Sequence, residues 1–273
     1  MQKMLFPIVM IILIIGSGCE KIDNPGFDNP LDPNPDNPDY VEPAVTPIEF
    51  PADGTILNTH TVTFKVHLNE TASAYQYQIN ESWSNWLTDT TFTLVYLDDG
   101  DYSLHLKARN IAGIEGSTIL ATTFTIDAVK GPALRFYPRY VSVQSNSNLS
   151  VEVIAEEVSN LSGLTVEITQ NTNLELVSYQ VFNDPDDRSF LGKDASLLYV
   201  PEVGENNSMI RVDFSRVGQP AAVSGTGSLM ELTLHYKGSA NTELNLSPNC
   251  MMLDSAMQAI TIRELVTLEI IKK

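Results

Sequence analysis

The chain has 273 residues, 34 of them acidic against 16 basic, for a net charge of -18. That length suits one or two domains of about 100–150 residues each. A hydrophobic fraction of 43% excludes wholesale disorder. The acidic balance excludes nucleic-acid binding through phosphates and a polybasic grip on anionic lipid, since both need a basic face. With Cys19 and Cys250 as its only cysteines, the chain is not a disulfide scaffold.

The amino terminus reads as a secretion signal. Lys3 supplies a positive start, and Leu5 to Ile15 is an unbroken apolar run. As a helix that run would reach about 16 Å, short of the ~30 Å core of a bilayer, so it is predicted to be a signal segment and not a membrane span. It ends in Gly16-Ser17-Gly18-Cys19, which resembles the lipobox of bacterial lipoproteins, with Gly16 where Leu is usual. The resemblance implies cleavage after residue 18 and a covalent diacylglycerol on Cys19. It also implies anchoring in the bacterial cell envelope, with Glu20 leaning towards the outer membrane or cell surface.

Residues 19–44 are predicted to form a disordered, extended tether. Eight of the 15 prolines lie between Pro25 and Pro51, interleaved with Asp23, Asp28, Asp32, Asp36, Asp39 and Glu42. Proline removes backbone donors and like charges repel, so this stretch does not enter a sheet. The prolines also deny Asp32, Asn34 and Asp36 the tight turn of a calcium loop.

Beyond Phe50 the pattern is short runs of period two. Val62, Phe64, Val66 and Leu68 alternate with polar residues, as do Tyr102 to Ala108, Ile210 to Phe214 and Met230 to Tyr236. Each predicts a half-buried strand. The one helix candidate is short, around Met251 to Gln258. The fold class is therefore all-β, with two β-sandwich domains at 45–127 and 131–273.

In the first, Asp98-Asp99-Gly100-Asp101-Tyr102-Ser103-Leu104 resembles the tyrosine corner of immunoglobulin-like and fibronectin type III-like domains. The resemblance implies that the Tyr102 hydroxyl bonds back to the backbone. Arg109 to Gly113 resembles the turn that follows in bacterial modules of this type. Ser82-Trp83-Ser84-Asn85-Trp86 resembles their Trp-bearing region, and at least one Trp is expected in the core.

The second domain resembles the cohesin family, a jelly-roll sandwich. Val158 to Ile168, including Asn160-Leu161-Ser162-Gly163, matches a family loop and strand, and Leu174-Glu175-Leu176-Val177-Ser178 matches the next. Ser224-Gly225-Thr226-Gly227-Ser228-Leu229 leads into the strand Met230 to Tyr236, and Leu244, Leu246 and Met252-Leu253-Asp254 complete the series. Gln170-Asn171-Thr172-Asn173 stands where the family commonly carries Asp-Pro. The resemblance implies docking of a dockerin-type protein through one sheet face, with calcium belonging to that partner.

No G-x-S-x-G, H-E-x-x-H, C-x-x-C or phosphate-binding glycine loop occurs, so no catalytic residues are assigned and an enzyme is not expected. His60, His67, His105 and His235 stand apart in sequence, three of them on polar strand faces. Asp184, Asp186 and Asp187 form the densest acidic cluster outside the tether, a weak metal candidate whose simpler reading is a solvated turn. Cys250 is expected to be a buried apolar filler. The leading expectation is a lipid-anchored, non-catalytic cell-surface binding protein that docks a protein, such as a polysaccharide-degrading enzyme. One alternative is direct polysaccharide binding by the C-terminal sandwich, with Tyr137, Tyr140, Tyr179 and Tyr199 as candidate stacking residues. Another is a structural envelope lipoprotein.

Overall fold

A computed structural model of the chain describes residues 31–33, 37, 39–169, 171–183, 188–205, 209–218 and 221–273. The signal segment, Cys19, and the acidic residues Asp184, Asp186 and Asp187 lie outside the described residues. Regular structure among the described residues is β-strand, arranged as two sandwiches, each with its own apolar core.

The first sandwich packs a three-stranded sheet on a five-stranded one. The smaller sheet runs β1 (Val45–Glu49), β3 (Val62–Leu68), β6 (Thr91–Leu94). The larger runs β2 (Thr55–Leu57), β8 (Ile119–Ile126), β7 (Gly100–Arg109), β4 (Ala74–Ile79), β5 (Ser82–Trp83). Alternation sends Phe64, Leu104, Leu106 and Phe124 inward, where all are buried. Phe64 stacks on Phe92 at 4.9 Å between ring centres and meets Phe124 at 5.9 Å. Each such side chain contributes roughly 1.5–3 kcal/mol by leaving water.

The loop before β7 closes as the sequence resemblance implies. The Tyr102 hydroxyl donates to the Asp98 carbonyl at 2.9 Å. Burial, reinforced by the nearby Asp98 charge, pushes that phenol up to about 12. The two acidic side chains of the loop serve the junction with the second sandwich. The Asp99 carboxylate accepts the amides of Ala128 and Val129, each at 3.0 Å, and so clamps the linker. The Asp98 carboxylate accepts the amide of Arg139 at 2.8 Å. Tyr96 stacks on Tyr140 across the same seam, 4.3 Å between ring centres. Ahead of β1, Asn69 holds the incoming chain, donating to the Glu42 carbonyl and accepting from the Ala44 amide.

The second sandwich is organised by one strand, β11 (Ser147–Thr169), 23 residues long. Its first part lies in a sheet with β15 (Val223–Tyr236), β12 (Leu174–Val181), β9 (Ala133–Tyr137) and β19 (Glu264–Val266). Its second part pairs with β14 (Met209–Val217), which carries β13 (Ser196–Val203), and with β17 (Met251–Asp254). Its end meets β16 (Thr242–Leu246), followed by β20 (Leu268–Lys272) and β10 (Tyr140–Val143). The strand changes sheets between Ala155 and Leu161, where its register with β15 shifts. Glu157 and Asn160 there take left-handed φ of 47° and 58°, bulge positions that bend the strand. The core between the layers includes Phe136, Val153, Leu161, Val166, Met230, Leu232 and Tyr236.

The expected helix over Met251 to Gln258 is instead a hairpin, β17 followed by β18 (Ala259–Ile260). Its turn is set by Asp254, whose carboxylate accepts the amides of Ala256 and Gln258, both at 2.8 Å. A short polar side chain that captures backbone donors in this way competes with helix formation.

Candidate docking face

The outer side of the sheet containing β13, β14, the second part of β11, and β17 is built from three cross-strand rows. Inward alternation of Ile210, Val212 and Phe214 on β14 turns Arg211, Asp213 and Ser215 outward. The register places Leu198, Ser215, Gly163 and Leu253 in one row, and Val200, Asp213, Thr165 and Met251 in the next. Glu202, Arg211 and Glu167 form the third. None of these residues is aromatic. Leu198 is 57% exposed, Val200 56% and Met251 44%, so apolar side chains flank a polar centre on both sides.

That centre is a fixed hydrogen-bond network. Arg211 grips Asp213 through Nε at 3.2 Å and Nη2 at 3.1 Å, and Thr165 donates to the same carboxylate at 2.6 Å. Arg211 also lies 3.8 Å from Glu167. Glu167, buried, accepts from Ser247 at 2.6 Å and from the Asn249 amide at 2.8 Å. The Ser247 and Asn249 bonds hold its carboxyl below the ordinary carboxylate value, with Arg211 assisting. Burial pushes Asp213 up, but the bonds from Arg211 and Thr165 outweigh it and its carboxyl also sits low. Asp213 in turn raises Arg211. Behind the network, Cys250 does more than fill space. Its thiol lies 3.3 Å from the Glu167 amide and 3.4 Å from the Glu167 carbonyl, and burial pushes the thiol up.

The four tyrosine candidates do not meet in one row. Tyr137 is exposed at the end of β9, beside Arg135. Tyr140 is half-buried beneath Tyr96 at the seam. Tyr179 on β12 and Tyr199 on β13 lie in opposite layers, both packed against the core. The tryptophans differ from expectation, since neither belongs to the first core. Both are half-exposed on the outer side of the larger sheet, where Lys107 sits 4.7 Å from the Trp83 ring and Arg109 4.3 Å from the Trp86 ring. Long cationic stems on β7 cover the indoles, which a core assignment from aromatic content alone does not anticipate.

The histidines stay separate. His60 donates from Nδ1 to the Leu97 carbonyl at 2.7 Å, and His235 bonds Asn148 at 2.7 Å. Among the described residues no group of three or more His, Cys, Asp or Glu side chains is placed to hold a metal. No described helix is long and apolar enough to cross a membrane.

No family model matches the chain, and no curated protein matches it. Among solved structures, the chain is similar to a non-cellulosomal cohesin from the hyperthermophilic archaeon Archaeoglobus fulgidus, at 13% identity and TM-score 0.39, over 52% of this chain and 91% of that one. It is similar to the type II cohesin dyad from the adaptor ScaA scaffoldin of Acetivibrio cellulolyticus, at 10% identity and TM-score 0.39, over 85% and 86% of the two chains. It is also similar to carbohydrate-binding modules from the β-sandwich superfamily, at 11% identity and TM-score 0.27, over 72% and 91%. The all-β sandwich architecture stands on the strand pairings themselves.

Proposed function

We propose that this chain is a non-catalytic binding protein whose C-terminal sandwich docks a protein partner across the face of β13, β14, β11 and β17. The observation that carries the reading is the make-up of that face. It is a sheet surface with exposed Leu198, Val200 and Met251 around the network of Arg211, Asp213, Thr165 and Glu167, and it has no aromatic platform. A face that combines exposed apolar side chains with hydrogen-bonding groups suits a protein surface, whereas a sugar ring calls for stacking aromatics. The cohesin-like motifs between Val158 and Asp254 support a dockerin-type partner. The tyrosine corner at Tyr102 and the three-plus-five strand arrangement support an immunoglobulin-like first unit acting as a spacer. The signal and lipobox at residues 1–19 support lipid anchoring through Cys19 in a bacterial envelope, with the acidic tether lifting both sandwiches off the surface.

The test is a binding titration of the full chain with calcium-loaded dockerin modules and with secreted proteins of the source organism, repeated in chelator. Saturable, calcium-dependent binding that Leu198→Asp together with Val200→Asp abolishes supports the reading. Binding that survives both substitutions overturns the face, and no bound protein in either condition overturns docking.

A further inference from the structure

Further along the sheet that carries the docking face, where β16 pairs with the end of β11, a cleft of about 530 Å³ opens beside the first unit. Tyr96 from the first unit forms one wall; β16, β20, Asn241 just before β16, and Asn171, whose amide donates to Thr242 and to the Glu243 carbonyl, supply the rest. Tyr96 has a left-handed φ of 58°, unusual for a bulky residue, and is held by its ring contact with Tyr140. Tyr96 as a whole remains 37% exposed.

The polar lining is arranged for a ligand that both donates and accepts. Asn241 uses its carbonyl oxygen to accept the Lys272 amide at 3.1 Å, and Asn245 uses its own to accept the Thr267 hydroxyl at 2.8 Å. Each side chain is thereby oriented, and among the described residues neither Nδ2 group has a protein partner. Glu243 and Glu269 stand directly opposite each other in the ladder between β16 and β20. No ion pair or side-chain hydrogen bond engages either carboxylate among the described residues, although like charges at this position destabilise a sheet. No Lys, Arg or His lines the cleft. Phosphate, sulfate and uronate groups would therefore meet two bare carboxylates with nothing to pair them.

We infer that this seam cleft is a binding site for a neutral oligosaccharide. Vicinal hydroxyls donate to Glu243 and Glu269 and accept from the Asn241 and Asn245 amides, while a pyranose face lies on Tyr96 and Ile271. The site is composite, since Tyr96 comes from one sandwich and the hydrogen-bonding groups come from the other. It shares no residue with the docking face, although Asn245 pairs with Thr169 on the same strand that carries Thr165 and Glu167.

The experiment is a calorimetric and NMR titration of the full chain with neutral hexaoses of β-1,4-linked glucose, xylose and mannose, and with a hexamer of galacturonate as the charged control. Binding of at least one neutral hexaose and none of the galacturonate is expected. Tyr96→Ala should weaken it about tenfold, and Asn245→Ala, which leaves the seam stack intact, should weaken it by several-fold. The docking-face pair Leu198→Asp with Val200→Asp should leave it unchanged, which separates failure of this site from failure of that face. No binding by any neutral hexaose, equal binding of galacturonate, or binding indifferent to both cleft substitutions would overturn the inference.

Discussion

Asp98 joins the two sandwiches at one residue, because its carboxylate accepts the Arg139 amide at 2.8 Å while its carbonyl accepts the Tyr102 hydroxyl at 2.9 Å. A loop that reads in sequence as a tyrosine corner thus also pins the second sandwich to the first. Burial pushes the Asp98 carboxyl above its ordinary value, with the Arg139 amide opposing. Asp98→Ala removes the side-chain half of the joint and leaves the carbonyl half. The expected result is an unchanged core with a looser seam, read as faster proteolysis within residues 127–131 and a larger radius of gyration in solution scattering.

Tyr102→Phe removes the other half. The Asp98 carbonyl then loses a half-buried donor, and the first sandwich should lose about 1 kcal/mol in denaturant unfolding. In alkaline titration of the native chain, Tyr75 and Tyr102, both raised to about 12 mainly by burial, should ionise after the exposed tyrosines. In the Phe variant one of those late phenols is missing from the absorbance change.

The docking-face network makes stability depend on acid. Glu167 has a folded-state pKa below its ordinary 4.5, and Asp213 below 3.8. A lowered carboxylate stabilises the fold fully above its unfolded value and loses that contribution as pH falls through the folded value. Glu167→Gln should therefore be less stable than the native chain by about 1 kcal/mol at pH 7. The gap should narrow as pH falls below the ordinary 4.5 and close only below the lower folded-state value, as followed by urea unfolding across pH. A gap of constant size would mean that the Ser247 and Asn249 bonds do not depend on the charge.

Gly116 sits where any side chain collides with the incoming chain. A Cβ there would lie 2.0 Å from the carbonyl oxygen of Pro43, a backbone atom of a buried residue. Gly116→Ala should cost about 1–3 kcal/mol in the first sandwich. It should also release Glu42 to Ala44 to protease, detectable by mass spectrometry of the cleaved chain.

Period-two alternation made most strands legible. In β3, β7, β14 and β15 the apolar members of each run face the core, all buried except the half-buried Leu68 and Tyr102. It failed at Met251 to Asp254, where the turn chemistry of Asp254 decides the outcome. The 23-residue length of β11 was hidden because its bulges at Glu157 and Asn160 interrupt the alternation that would mark one strand. The polar side of β14 was readable in Arg211, Asp213 and Ser215. Their meeting with Thr165, Glu167 and Val200 was not, because register between distant strands leaves no local signal. Tyr96 escaped notice for a similar reason, as it lies outside any alternating run and acquires its place only when the two units meet.

The long strand β11 also sets an order of events. Ser147 pairs with Tyr236, Ile168 with Leu246 and Leu161 with Asp254, so these partners lie far downstream, while β9 precedes the strand and β14 follows at shorter range. The first sandwich has all its strands once Ile126 is made. The second cannot close its core until the last strands have emerged, and loop closure over such spans is slow. A nascent chain would thus carry a finished front domain and a β11 that has β9 to pair with but waits for β15, β16 and β17, its remaining edges open to aggregation until they arrive.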